Sequence, residues 1–444
     1  MAHPNKGPFV CPDCGRASPK WFGRCPDCGA WGSAAGVAGG AAVEFVPLSE
    51  CGSPPARMAS GLVEVDRVLG GGLVRGEVIL LAGEPGIGKS TLVLQLLNGL
   101  CAGGHDCLVV SAEETAHQVA MRARRVGTNP ELRMANTSDL QAVMEVCEKL
   151  NPSVLVVDSI QTMAMNSLDH AAGSIAQVRE CAAALGRYAK EAGTAVVLTG
   201  HVTKDGAVAG PKVLEHLVDA VLALDGERSG PLRFLRATKN RFGSSDELAI
   251  FTMTAAGLVA VGDPSVMLLA DRPVGVPGSV VFPALEGRRS VLMEIQGLVT
   301  EREFAQPRRV AVGVDSRRLA LSLAALSEKA RISLSRRDVF VAASGGLQIV
   351  ETAADLALCL AVASAVYQTP IDSEMVVLGE VGLAGEIRRV AHIDRRLKEA
   401  GRLGFRRALV PVSAADERDC GINLVAVPDV ASAVEVLRSE PARV

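Results

Sequence analysis

The chain has 444 residues, 48% of them hydrophobic, 21% charged and only 3% aromatic, with a formal net charge of −3. This length predicts roughly two or three domains with well-filled cores. The weakly negative net charge excludes a nucleic-acid binder that relies on overall basic charge. The first residues form no apolar signal segment, and the longest apolar stretch, at 356–366, is too short to span a bilayer. We therefore expect a cytoplasmic protein with no membrane contact.

Four cysteines near the start of the chain form two C-x-x-C pairs, Cys11/Cys14 and Cys25/Cys28, with ten residues between the pairs. Two such pairs can surround a tetrahedral Zn²⁺ with four thiolates, which leaves no open position for catalysis. Disulfide bonds or a redox C-x-x-C are the alternative interpretations. A segment this short has no core of its own, so the metal would supply its folding free energy. We predict a structural zinc finger over 1–32.

The segment at 33–57 is rich in Gly, Ala and Pro, which predicts a flexible linker. From 58 to 262, short apolar runs alternate with helical patterns, as in α/β proteins with a parallel sheet. The predicted strands are 77–83, 107–113, 153–159, 194–201 and 219–226, and the clearest predicted helices are 90–100 and 174–193. One face of the second helix is apolar, through Ile175, Val178, Ala182, Leu185 and Ala189.

The sequence GEPGIGKST at 83–91 fits the phosphate-binding pattern G-x-x-x-x-G-K-[ST], between a predicted strand and a predicted helix. Its backbone N–H groups would surround a phosphate, Lys89 would reach the β- and γ-phosphates, and Ser90 would offer a hydroxyl to Mg²⁺. A glycine-rich turn that matches by chance is the alternative. The predicted ATP-binding residues are Gly83, Glu84, Pro85, Gly86, Ile87, Gly88, Lys89, Ser90 and Thr91.

Three further predicted strands end in polar residues at the edge where α/β sheets hold their ligands. Asp158 follows a buried strand and is predicted to hold the Mg²⁺ shell, unless it only caps the next turn. Glu113 and Glu114 end another strand; we favour Glu113 as the base that orients the attacking water, although either glutamate could instead begin a helix. His201 ends the fourth strand, as a sensor of the γ-phosphate or as a surface histidine.

The zinc segment, the P-loop region, the sequence HVTKDGAVAGPKVLEHLVDAVL at 201–222 and KNRFG at 239–243 together resemble the bacterial RadA (Sms) family over essentially the whole chain. The resemblance implies a RecA-like ATPase core and a homo-hexameric ring. It also implies ATP-driven movement on single-stranded DNA, with branch migration beside a RecA-type recombinase. The zinc module suits docking of a partner, such as a replicative helicase, or of DNA. The protein would then be nucleoid-associated.

The KNRFG segment also resembles the pair of cations that DnaB-type helicases insert into a neighbour's ATP site. By this likeness, Lys239 and Arg241 would contact the γ-phosphate in trans, because the transition-state charge needs cations. An exposed basic turn is the alternative. In RecA-like folds two loops line the DNA channel, and the second, at 202–212, carries Lys204 and Lys212 as candidate DNA contacts, unless both are solvated surface lysines. The first, at 161–174, has no basic residue.

The last part of the chain, 263–444, is predicted to be a separate α/β domain with apolar helices around 317–329 and 351–366. It resembles the proteolytic domain of Lon, which uses a serine nucleophile and a lysine. The matching positions are Ala353 and a site near Asp394, so neither group is present, and we disfavour protease activity. Ser344 and Lys398 are only near in sequence. A KaiC-like signalling or scaffold ATPase remains the alternative function.

Overall fold

The computed structural model describes residues 9–11, 13–14, 16–18, 23–31, 35–36, 56–129, 132–201, 211–226, 230, 232–301, 307–346, 348–416 and 421–439. Contacts divide the chain into two compact units, Met1–Pro54 and Pro55–Val444. The second unit contains both the predicted ATPase domain and the predicted Lon-like domain, so their boundary at 262/263 stays a prediction. Most of the predicted linker lies outside the described residues. Within these residues, no helix combines the length and apolarity needed to cross a membrane.

The N-terminal unit contains three two-residue strands, β1 (Phe9–Val10), β2 (Ala17–Ser18) and β3 (Ala35–Gly36). The central strand, β1, pairs antiparallel with both others. Strands this short bury very little apolar surface and cannot stabilise a sheet by themselves. The stability of this unit therefore has to come from the cysteine cluster.

The second unit opens with β4 (Arg57–Met58), α1 (Val63–Leu69) and β5 (Leu73–Val74), in which β4 and β5 pair antiparallel. A nine-stranded sheet follows, with the order β14-β13-β12-β11-β6-β10-β9-β7-β8. Its strands are β6 (Val78–Gly83), β7 (Cys107–Ser111), β8 (Arg133–Asn136), β9 (Val154–Asp158), β10 (Ala195–His201), β11 (Ala220–Asp225), β12 (Leu232–Asn240), β13 (Leu248–Thr254) and β14 (Gly257–Ala260).

The six strands from β8 to β11 in this order are parallel, whereas β12, β13 and β14 extend the sheet antiparallel. This confirms the α/β class and the parallel-rich sheet. The connecting helices are α2 (Lys89–Ala102), α3 (Ala116–Arg125), α4 (Leu140–Leu150), α5 (Ile175–Ala192) and α6 (Pro211–Leu214), with a short 3-10 helix at Ile160–Thr162.

The predicted apolar face of α5 is buried with one exception. Val178, Ala182, Leu185 and Ala189 pack into the core, but Ile175 is 53% exposed. Ile175 is the first residue of the helix, so the apolar face that the periodicity indicates is buried only from Val178 onward. Periodicity shows which face of a helix is apolar, but not where along the helix the packing begins.

A seven-stranded mixed sheet forms the remainder, with the order β17-β18-β16-β15-β19-β22-β23. Its strands are β15 (Ser279–Glu286), β16 (Arg289–Glu301), β17 (Arg309–Val312), β18 (Arg337–Ala343), β19 (Met375–Val377), β22 (Arg407–Pro411) and β23 (Asn423–Val427), and a separate pair is formed by β20 (Glu380–Val381) and β21 (Ile387–Arg388). The helices are α7 (Pro264–Leu269), α8 (Ser316–Lys329), α9 (Asp355–Tyr367), α10 (Ile393–Arg402) and α11 (Val430–Ser439), with 3-10 turns at Ser344–Gly346, Thr352–Ala354 and Val412–Ala414.

Helix α9 lies at the centre of this region and is buried on all sides from Asp355 to Ala365. A helix that is apolar all round is typical of such a core position. It approaches β16 so closely that a Cβ on Gly297 would lie 2.8 Å from the backbone of Ala361. The same core also includes Phe234 and Ile250 from the nine-stranded sheet, so the two sheets share one apolar interior.

Candidate active site and metal centre

The predicted P-loop connects β6 to α2 and has the backbone that the motif requires. Gly86 and Gly88 have positive φ angles of 81° and 120°, which L side chains rarely adopt. A Cβ on Gly88 would also lie 2.7 Å from Cε of Met253. Arg233 Nε holds the loop from the side, donating to the carbonyl of Ile87 at 3.0 Å. The predicted set therefore runs from Gly83, the last residue of β6, through the curved loop to Lys89–Thr91 in the first turn of α2, and a loop that ends at a helix N-terminus suits phosphate.

Lys89 is 5% exposed and lies inside this loop. Its Nζ donates to the carbonyls of Gly83 and Glu84 at 2.9 and 3.1 Å and lies 3.1 Å from Nδ1 of His201. Burial lowers the pKa of this ammonium, and the nearby carboxylates of Asp158 and Glu113 oppose that shift. The lysine is therefore held at the loop by contacts that phosphate oxygens can replace.

The predicted acids lie at the same edge of the sheet as the lysine, because Asp158 ends β9 and Glu113 follows β7, the neighbouring parallel strand. Asp158 accepts a hydrogen bond from Oγ1 of Thr199 at 2.5 Å. The carboxylate of Glu113 accepts a hydrogen bond from the hydroxyl of Ser159, and its Oε1 lies 3.4 Å from Nε2 of His201. His201 thus links the lysine of the P-loop to Glu113.

Glu114 does not join this group. Its two carboxylate oxygens pair with the guanidinium of Arg122, in the last turn of α3, at 2.5 and 2.7 Å. The two adjacent glutamates lie in the bend after β7 and point in different directions, Glu113 to Ser159 and His201 and Glu114 to Arg122. Of the two candidates, the structure brings Glu113 to Lys89.

The sequence patterns did not single out Ser159 or Thr199 as members of the site. Each hydroxyl donates to one of the two acidic side chains, to Glu113 and Asp158 respectively. Hydrogen bonds of this kind fix the orientation of a carboxylate without taking part in the chemistry. The one available signal for Ser159 was its position directly after Asp158.

Lys239 and Arg241 lie at the end of β12 and just beyond it. Nζ of Lys239 donates to the carbonyls of Glu215 and Val218 at 2.5 and 2.7 Å, and burial lowers its pKa. Arg241 is 57% exposed and lies 3.1 Å from Oδ1 of Asp219. Within the described part of this chain, neither cation makes a hydrogen bond or ion pair with a P-loop residue. The structure therefore does not bring them to the P-loop of the same chain.

Of the predicted DNA contacts, Lys204 lies outside the described residues. Lys212 lies in the short helix α6, at Pro211–Leu214. The first predicted loop, at 161–174, begins in the 3-10 helix that ends at Thr162. The contacts of these loops with DNA stay a prediction.

The four N-terminal cysteines converge on one point. Their Sγ atoms all lie within 4.8 Å of one another, with Cys11 and Cys28 at 3.7 Å and Cys14 and Cys25 at 3.5 Å. Four thiolates around a tetrahedral zinc lie about 3.8 Å apart for a Zn–S bond of about 2.3 Å. The backbone N–H of Cys28 is the largest influence that lowers the pKa of Cys25 to about 7, whereas the neighbouring sulfurs and burial raise the pKa of Cys14 against a backbone hydrogen bond from Arg16. Disulfide pairing would need about 2 Å between sulfurs, so the cluster fits zinc.

Removing half of the cluster should remove the metal. In the Cys25→Ser Cys28→Ser variant we expect bound zinc to fall from about one per chain to near zero, because two ligands cannot hold a structural zinc ion. Elemental analysis of purified protein measures this, and Cys101→Ser, which changes a thiol outside the cluster, is the matched control. Equal zinc contents in both variants would rule out this ligand set.

The positions that correspond to the catalytic serine and lysine of Lon hold neither residue. Ala353 is buried in a 3-10 turn. Ser344 exchanges hydrogen bonds of 3.2 Å with the backbone of Glu294 and lines one cleft, whereas Lys398 lines a different one. Ser344 and Lys398, which lie near these positions in sequence, therefore do not form a catalytic pair.

Comparison with known proteins agrees with this organisation. Family models described as an AAA domain, a rubredoxin metal binding domain and subunit ChlI of Mg-chelatase match residues 53–207, 9–34 and 319–414. The DNA repair protein RadA of Pseudomonas aeruginosa is 45% identical over 97% of this chain and 98% of its own length. The proteins of the same name from Bacillus subtilis and Escherichia coli are 41% and 43% identical over 97% and 98% of this chain, covering 98% and 99% of their own lengths.

Among solved structures, a KaiC-like protein from Pyrococcus horikoshii OT3 aligns over its whole length with 47% of this chain, at 24% identity and a TM-score of 0.41.

Proposed function

This chain belongs to the RadA family of DNA repair proteins, and from that membership and its nucleotide site we propose that it is a DNA-dependent ATPase that moves on single-stranded and branched DNA. The observation that carries the proposal is the convergence of Lys89, Asp158, Glu113 and His201 at one edge of the sheet. A buried cation for the phosphates, one carboxylate for Mg²⁺ and another for the attacking water are parts that phosphoryl transfer to water uses, and His201 contacts two of these three groups.

ATP would lie with its phosphates in the P-loop, where Lys89 exchanges its carbonyl contacts for phosphate oxygens. Ser90 and Asp158 would hold Mg²⁺, which supplies positive charge to the phosphates when it is bound. Glu113, oriented by Ser159, would accept a proton from the attacking water. His201 touches both Lys89 and Glu113, so it is placed to register whether the γ-phosphate is present.

A neighbouring subunit would complete each site. Arg241 is exposed and lies apart from its own P-loop, and Lys239 lies beside it along the chain. In a closed homo-hexameric ring, the same surface of each subunit faces the next, so these cations can reach the adjacent nucleotide. Hydrolysis would then depend on assembly of the ring.

The biological setting follows from the family. We place the protein in the cytoplasm, at the nucleoid, where it would process recombination intermediates with a RecA-type recombinase. The loop that carries Lys204 and Lys212 would contact the DNA phosphates. The zinc unit would dock a partner such as a replicative helicase.

The test is ATP hydrolysis by the full chain with and without single-stranded DNA. We expect DNA to stimulate the rate at least about tenfold, and Lys89→Ala to abolish the hydrolysis in both conditions, since no other group replaces the buried cation. Lys190→Ala, an exposed lysine on α5, is the matched control and should behave as wild type. A hydrolysis rate that DNA does not change would contradict the proposed movement on DNA and favour a KaiC-like signalling ATPase.

A further inference from the structure

Asp219 is a buried acidic residue that lies outside the group of side chains around Lys89. It directly precedes β11, beside β6 in the nine-stranded sheet. A buried carboxylate is unfavourable unless hydrogen bonds or a cation compensate its charge. The carboxylate of Asp219 accepts one hydrogen bond from the start of β6 and one from the KNRFG segment. Asp219 therefore joins the strand that leads to the P-loop with the segment that carries Arg241.

Two hydrogen bonds hold Asp219 at the start of β6. Its backbone N–H donates to the carbonyl of Val78 at 2.8 Å, and its Oδ2 accepts the N–H of Val78 at 3.1 Å. Val78 is the first residue of β6, and Gly83, at the start of the P-loop, is the last. Because the backbone and the side chain of Asp219 bind the same residue, the orientation of the carboxylate is fixed, and Oδ1 is left for another donor.

Arg241 binds Asp219 at two points. Its backbone N–H donates to the carbonyl of Asp219 at 3.0 Å, and its NH1 group donates to Oδ1 at 3.1 Å. The side chain of Asp219 is 9% exposed and that of Arg241 is 57% exposed, so the pair has a buried acidic end and an exposed basic end. The ion pair engages one nitrogen of a guanidinium that carries five N–H donors. The exposed end of Arg241 can therefore also bind an anionic group.

The backbone on both sides of Arg241 is fixed by other contacts. Nδ2 of Asn240 donates to the carbonyl of Leu69 at 3.3 Å, and its Oδ1 accepts the N–H of Phe242 at 2.9 Å. These hydrogen bonds hold the turn without the carboxylate of Asp219. What that carboxylate adds is the direction of the long arginine side chain.

The charge of Asp219 also acts on Lys239, two residues before Arg241. Burial and the charge of Arg241 lower the pKa of Lys239, whereas the charge of Asp219 opposes this shift. Without the negative charge, the two cations would repel each other with nothing between them to compensate. Loss of the carboxylate should therefore turn the exposed guanidinium away from its present direction.

We propose that Asp219 is the positioning residue of Arg241 and directs its guanidinium to the ATP site of the neighbouring subunit. This inference rests on the proposed function, in which Arg241 completes an adjacent site. A cation that is already oriented stabilises the charge of the transition state without reorganising during the reaction. The carboxylate would hold NH1 and leave other donors of the guanidinium for the γ-phosphate. Asp219 would act through Arg241 and would not contact the nucleotide.

Replacing Asp219 with asparagine in the full chain removes the charge and keeps the shape of the side chain. With saturating single-stranded DNA, we expect the ATP turnover number to fall about tenfold to a hundredfold and KM for ATP to stay within about twofold of wild type. Thermal unfolding checks that the variant folds. Asp246→Asn, which removes an exposed charge three residues after the KNRFG segment, is the matched control and should behave as wild type. A turnover number of Asp219→Asn at or above that of wild type would overturn the proposal.

Mixed rings separate positioning across the interface from a structural effect within one subunit. In the proposed ring, a mixture of Asp219→Asn and Glu113→Gln chains would contain sites that combine an intact Glu113 with a neighbour that retains Asp219. An equal mixture should therefore recover roughly a quarter of the wild-type rate if neighbours assort at random. A mixture no more active than the mean of its components would place the effect of Asp219 in the site of its own chain and contradict the proposal.

The Arg241→Ala background distinguishes failure of the positioning role from failure of the proposed function. If Asp219 acts only through Arg241, adding Asp219→Asn to Arg241→Ala should not lower the residual rate further. A further loss of about fivefold or more would give Asp219 a separate role and refute the inference. Wild-type activity in Asp219→Asn beside an inactive Arg241→Ala would contradict the positioning role alone. A normal rate in Arg241→Ala would contradict the proposed site across the interface, and the positioning role with it.

Discussion

Replacing Glu113 with glutamine should lower the ATP turnover number by about a hundredfold to ten-thousandfold while leaving the Kd for ATP close to wild type. The glutamine keeps the size of the side chain and can still accept the hydrogen bond from Ser159, but it cannot take a proton from water. Steady-state hydrolysis gives the turnover number, and titration with a fluorescent ATP analogue gives the Kd. Loss of rate with intact binding separates the chemical role from a binding role.

The adjacent glutamate is the matched control. Glu114 pairs with Arg122 and not with the nucleotide edge, so Glu114→Gln should retain activity within about twofold of wild type, as expected for a partly exposed ion pair. If Glu114→Gln loses more activity than Glu113→Gln, the assignment of the base is reversed. Each variant removes one negative charge, at adjacent positions, so the two differ only in which glutamate is replaced.

Replacing Arg241 with alanine should lower the turnover number by about a thousandfold, the effect of removing an arginine finger. The unfolding temperature should change little, because Arg241 is 57% exposed and, among the described residues, forms an ion pair with Asp219 alone. Steady-state hydrolysis and thermal unfolding measure the two effects. A normal rate of hydrolysis by Arg241→Ala would contradict the assignment of Arg241 as an arginine finger.

Mixing variants tests whether the arginine acts across a subunit interface. Arg241→Ala and Glu113→Gln subunits should each be nearly inactive alone, but in the proposed ring a mixture would contain sites that combine an intact Glu113 with a neighbour's intact Arg241. An equal mixture should therefore recover about a quarter of the wild-type activity if neighbours assort at random. A mixture that stays as inactive as its components would show that both residues serve the same subunit.

Much of the nucleotide site could be predicted because its parts are local patterns. The P-loop is one contiguous segment, and Asp158 and Glu113 each end a predicted strand. Parallel strands place their carboxyl ends at one edge, so the sequence alone indicates that these side chains meet. The zinc ligands could be predicted for the same reason, since each C-x-x-C turn already brings two thiolates together.

The sequence by itself thus determined the α/β class, the phosphate loop and the four-cysteine cluster, all of which depend on residues near one another in the chain. Only the tertiary structure decided which glutamate faces Lys89, that Ser159 orients it, and that Ile175 is exposed. It also decided that Arg395 and Arg396, consecutive in the chain, have opposite surroundings. These features depend on side-chain direction and on packing between distant segments, where the partner that fixes a residue, such as Glu351 for Arg396, is set by the fold and not by spacing.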